Sequence, residues 1–103
     1  MLSHTVLFRL RRPFDDEQRA EFVAALRTFA AEAPLTAGPM TVTVNLGVRD
    51  PANARFADAA LSATFTDAET FTSYLKHPRH QVLATEVLEP ACASWLSLQA
   101  EVS

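Results

Sequence analysis

The stretch FADAALSATFTDAETFTSYLKHPRHQ (56–81) changes its repeat twice, and those changes decide the fold. At its start the side chains alternate, with Ala57, Ala59, Leu61, Ala63 and Phe65 on one side and Asp58, Ala60, Ser62 and Thr64 on the other. This is the period of a strand with one covered face. The period then lengthens. TDAE (66–69) reads as a capping box with Thr66 and Glu69 in the paired positions. Ala68, Phe71 and Leu75 follow on one face of a short helix. Pro78 disfavours helical geometry at His77, so that helix closes near Lys76. Proline suits the first position of a further helix, which makes His77 its N-cap and puts His80 in its first turn. That helix carries Leu83, Ala84, Val87 and Leu88 and is expected to stop at Pro90.

The same periods extend in both directions. In HTVLFRL (4–10), His4, Val6, Phe8 and Leu10 point one way and Thr5, Leu7 and Arg9 the other, a first strand. PFDDEQ (13–18) supplies a helix start with Asp15 as N-cap and Gln18 as its capping-box partner. Phe22, Leu26, Phe29 and Ala33 recur at three- and four-residue steps, and the helix should end before Pro34. MTVTVNLG (40–47) alternates again, and GVRDPANAR (47–55) reads as a turn-rich connection. SWLSLQAE (94–101) places Leu96, Leu98 and Ala100 on one side and Trp95, Ser97 and Gln99 on the other.

The order β-α-β-β-α-β is the ferredoxin-like α+β plan, with helices on one face of a four-stranded antiparallel sheet. Aliphatic residues of every strand are expected to meet the helices. Thr5, Thr41, Thr43, Asn45, Ser62, Thr64, Trp95 and Ser97 are expected on the opposite face with Leu7. Such a semi-polar face suits either water or a second copy.

A chain of 103 residues allows one domain, 1–103. The net charge is −3, and the one basic cluster (Arg9, Arg11, Arg12) is followed at once by Asp15, Asp16 and Glu17, so no cationic stripe is available for nucleic acid. Those arginines read as a solvated strand end. Cys92 has no partner for a disulfide and reads as a small buried residue before the last strand. MLSHTVLFRL (1–10) is too short and too polar for a signal peptide or a membrane span, so a cytoplasmic location is expected. Two glycines cannot build a phosphate loop or a dinucleotide fingerprint. His4, His77 and His80 have no cysteine companions at metal-site spacing, so neither cofactor nor metal is expected.

HTVLFRL, the helix from Asp16, ATFTDAETFTSYLKHPRHQ (63–81) and EVLEPACASWLSLQ (86–99) together resemble the stress-responsive A/B barrel domain (Dabb) family over almost the whole chain. The most specific piece is the acidic-aromatic helix running into Tyr74, Leu75, His77, Pro78 and His80, combined with His4 near the start. The resemblance implies a dimeric α+β barrel, a homodimer through the sheet face with the helices outside. Many members have no established activity. In the plant polyketide cyclases among them, the residues matching His80 and Tyr74 serve as base and orienting phenol, and the one matching His4 lines the same pocket. The sequence departs from those cyclases at Ala59, where they carry a further pocket histidine, and at Leu26, where they carry a tyrosine.

The residues themselves support a site of that kind. His4 shares a strand face with Val6 and Phe8, while Tyr74 and His80 come from the helical layer. The expected pocket lies between sheet and helices, walled by Val6, Phe8, Phe22, Leu26, Leu61 and Leu83, and fits a small carbonyl or aromatic molecule. A histidine in a first helical turn feels the positive end of the helix dipole, which favours its neutral form. Neutral imidazole is the form that acts as general base near pH 7. Tyr74 can donate to a carbonyl oxygen as it becomes an enolate. Three functions fit: a cofactor-free cyclase or lyase, a non-catalytic stress or ligand-binding dimer whose histidines serve as caps and packing, and a cofactor-independent monooxygenase on the same barrel architecture.

Overall fold

The computed structural model describes residues 1–48 and 53–102. The elements are β1 (Leu2–Leu10), α1 (Asp16–Ala31), β2 (Thr41–Val44), β3 (Ala59–Phe65), α2 (Ala68–Lys76), α3 (Pro78–Val82) and β4 (Cys92–Glu101). Between α3 and β4 the helix continues as a π-helical segment (Leu83–Leu88) and a last turn (Glu89–Ala91). The strands form one sheet in the order β2-β3-β1-β4, every neighbouring pair antiparallel. This is the ferredoxin-like arrangement, with β1 and β3 central and the helices over one face. That face carries the core: Phe8, Leu26, Leu61, Phe65, Tyr74 and Cys92 are its most deeply buried side chains. The turn-rich reading of 49–52 lies outside the described residues.

Local chemistry sets several boundaries as expected. Asp15 and Gln18 form the reciprocal capping box that starts α1. His77 closes α2, and its Nδ1 accepts from the Arg79 amide at 3.1 Å to start α3. Pro78, at the head of α3, gives up no hydrogen bond there. Cys92 is buried as expected, but it is the first residue of β4 rather than a residue before that strand.

Other expectations need correction. Asp67, not Thr66, caps α2, accepting from the Thr70 amide at 2.8 Å. The buried residues of that helix are Phe71 and Tyr74, while Leu75 is exposed. The final helix does not stop at Pro90. In an α-helix the proline ring would collide with the carbonyl four residues back. The π-helical segment, in which the Glu89 amide bonds the Ala84 carbonyl, carries the chain past it to Ala91.

The largest correction is the phase of β4. Its register pairs Phe8 with Trp95, Val6 with Ser97 and His4 with Gln99, so Trp95, Ser97 and Gln99 share the helix-side face. Leu96 pairs with Leu7 and Leu98 with Thr5, on the opposite face. Cys92 still pairs inward with Leu10, because the register shifts between Arg9 and Leu10. An extra residue in one strand reverses the facing of everything beyond it. The arginines are also not simply solvated. Arg12 grips buried Asp58 with both nitrogens, at 2.7 and 3.0 Å, and lies over the Phe14 ring. Arg9 donates to the carbonyls of Asn53 and Phe56.

Candidate functional site

β1 delivers His4 to the helix side of the sheet, between Ala63 of β3 and Gln99 of β4. The imidazole is 6% exposed. Its Nδ1 lies 2.9 Å from Nε2 of Gln99. On its other side it packs on Phe71, ring centroids 4.8 Å apart, and more loosely on Phe65 and Tyr74. Tyr74 is 1% exposed and is ringed by Phe65, Phe71, Phe29 and His80. The His80 centroid is 4.9 Å from that of Tyr74, edge to face. Tyr74 therefore stands between the two histidines, and the fold brings His4, Tyr74 and His80 into one cluster under α2 and α3. His77 does not join it; its ring is occupied as a cap.

One polar atom in the cluster is unusual. Among the described residues, Nδ1 of His80 is the buried side-chain nitrogen or oxygen without a hydrogen-bond partner. Leaving such a group unpaired costs about 1–3 kcal/mol, which packing alone gives no reason to retain. The Leu75 carbonyl nearby favours the protonated ring, and it already accepts from Gln81 Nε2 at 3.0 Å. Burial outweighs that pull and holds the His80 pKa below the usual histidine value. Burial also lowers the pKa of His4, and the charge of His80 adds to the effect. Burial raises the Tyr74 hydroxyl, keeping it a phenol able to donate. The cluster thus holds two neutral imidazoles and a protonated tyrosine.

These shifts predict a pH dependence of stability. Unfolded histidines bind protons near pH 6.5, whereas His4 and His80 in the fold bind them only at lower pH. As pH falls below about 6.5 the unfolded state takes up protons first, so stability declines; above that pH the contribution is complete. Urea unfolding between pH 8 and pH 5 should show this decline, and the double variant His4→Phe/His80→Gln should flatten it.

Val6, Phe8, Phe22, Leu26, Leu61 and Leu83, the expected pocket walls, all belong to the packed core beside the cluster. A more open space lies one ring away. A groove of about 480 Å³ runs between α1 and α3, lined by Ala25, Phe29, Val82, Leu83 and Val87 among others. Phe29 forms part of its wall and packs on Tyr74 at 6.3 Å. Phe29 thus separates the groove from the cluster. The Arg79–Glu32 ion pair at 3.1 Å stands at the groove's edge.

Sequence reasoning missed Gln99, because the bulge that turns it inward is set by pairing rather than by local pattern. It also missed Asp58, although an acid placed among apolar residues at a strand start was a signal. Among the described residues, no cluster of three or more His, Cys, Asp or Glu is arranged to hold a metal ion, and no helix is long and apolar enough to cross a membrane.

The model of the stress responsive A/B barrel domain matches residues 2–102. The chain belongs to that family. Solved structures similar to this family member agree on the fold. A dimeric ferredoxin-like protein of unknown function from Thermobifida fusca is 24% identical, with 98% of this chain and 90% of that one covered and a TM-score of 0.76. A Dabb family protein with a ferredoxin-like fold from Mesorhizobium loti is 16% identical, with 99% and 96% covered and a TM-score of 0.77. Hydroxynitrile lyase from Passiflora edulis is 20% identical, with 99% and 93% covered and a TM-score of 0.75. No curated protein matches the chain.

Proposed function

We propose that this Dabb protein is a homodimer that binds a small carbonyl or aromatic metabolite at His80, Tyr74 and His4, and uses His80 as a cofactor-free general base. The observation that carries the reading is the unpartnered, buried Nδ1 of His80. A ligand hydroxyl or an acidic C–H beside a carbonyl is the partner it lacks. In the catalytic form, neutral His80 takes the proton, the C–H electron pair moves into the enolate, and Tyr74 donates its hydrogen bond to the enolate oxygen. Ring closure or elimination then follows from that enolate, a cyclase or lyase reaction. Phe29 must turn aside to admit the ligand from the α1–α3 groove. The hydroxynitrile lyase that shares the fold is a lyase by name.

The dimer is supported by the uncovered sheet face. Leu7, Leu96 and Leu98 lie together on it, 44%, 74% and 67% exposed. The similar protein from Thermobifida fusca is dimeric.

Tight packing of rings around Tyr74 favours a second reading, a non-catalytic dimer in which the cluster only fills the core. Nitrogen-detected NMR of the histidine rings separates the two. Titration with resorcinol and with methyl acetoacetate should move the His80 Nδ1 resonance saturably, and His80→Ala should abolish the binding seen at neighbouring residues. Resonances that stay put, with His80→Ala changing only the unfolding midpoint, would establish the packing role instead.

A further inference from the structure

We infer that Gln99 is a positioning residue that fixes the tautomer of His4 and so makes it a hydrogen-bond donor within the cluster. The inference rests on reading His4, Tyr74 and His80 as one site. It is carried by the β1–β4 register, which sets Gln99 directly opposite His4, and by the 2.9 Å contact between Gln99 Nε2 and His4 Nδ1. With the amide NH2 turned toward the ring, as it is placed here, Gln99 donates, Nδ1 accepts and the ring proton resides on Nε2.

The consequence is a defined polarity. His4 Nε2–H and the Tyr74 hydroxyl are then donors, and His80 Nδ1, which has no hydrogen-bond partner, is the acceptor in the general-base reading above. Two donors suit a carbonyl oxygen, and one acceptor suits the proton-bearing group beside it. The ligand class that matches is an enolisable carbonyl compound or an acyl phenol, rather than an amine or an alkane. A cation would meet two donors and is rejected by the same arrangement.

Gln99 reaches His4 from outside the core. It is exposed and lines a groove of about 400 Å³ with Leu2, Asp67 and Glu101. Substituting it therefore leaves the packed rings intact, which keeps the test clean. The titratable groups facing this contact are His80 on the helix side and Asp67 and Glu101 along the groove.

The experiment is long-range nitrogen–proton NMR of the free, full-length protein labelled at histidine. Wild-type His4 should show a protonated Nε2 and an unprotonated Nδ1. Gln99→Met removes the donor and should mix the two tautomers. Gln99→Glu sets a carboxylate against the ring and should raise the His4 pKa by about 1 to 3 units. A proton on Nδ1 in the wild type, a tautomer unchanged in Gln99→Met, or a His4 titration unmoved in Gln99→Glu would each overturn the assignment. Because no ligand is involved, these outcomes are separate from those of the His80 titration.

Discussion

Replacing Asp58 with alanine should destabilise the protein by about 3 kcal/mol, lowering the unfolding midpoint by roughly 15 °C. The carboxylate, only 6% exposed, has three tasks. Pairing of β1 with β3 ends at Phe8 and Ala59, so Leu10 lies two residues beyond the ladder. Its amide donates instead to Asp58 Oδ2 at 2.8 Å. Arg12 adds the other two bonds and links Asp58 back to the Leu10 carbonyl through its Nη1 at 2.7 Å. The alanine variant leaves a buried amide unpaired, at about 1–3 kcal/mol, and loses two charge-assisted bonds of comparable worth. Asp58→Asn keeps an acceptor for the Leu10 amide and should lose clearly less. Equal losses in the two variants would show that the backbone bond contributes nothing.

That ion pair also marks where the sequence stops being informative. Arg12 and Asp58 are 46 residues apart, and nothing local in either segment announces the other. What was legible is what short-range chemistry decides. The Asp15–Gln18 box and the His77–Pro78 junction depend on neighbours within a few residues, and they set both helix starts. Strand alternation in β1 and β3 was equally clear, because one face of each is fully covered. The helix α2 shows the limit of pattern reading. Phe71 with Leu75 and Phe71 with Tyr74 both satisfy helical spacing, and only the rings waiting on β1 and β3 select Tyr74. Meeting those rings is also what placed Tyr74 between His4 and His80. The cluster was therefore legible as a set of residues, but its internal order was not.

β4 is the clearest failure of pattern, and its correction yields the second large effect. Leucines at 96 and 98 read as inward-facing because leucine is usually covered. The bulge beside Leu10 turns them out beside Leu7, leaving an apolar stripe on the face away from the helices. If a second protomer covers that stripe, each substitution acts twice across the two-fold axis. The pair Leu96→Glu/Leu98→Glu would bury like charges in an apolar contact, and the dimer dissociation constant should rise at least a thousandfold, about 4 kcal/mol. Light scattering after size exclusion should then find a monomer where the parent chain is a dimer. Far-ultraviolet circular dichroism should be unchanged, since neither leucine contributes to the protomer core. Val82→Glu, at a 50% exposed position on α3 across the molecule, should leave the dimer intact. A dimer that survives the paired glutamates but dissociates with Val82→Glu would move the interface to the helical side, over the groove that leads to Phe29.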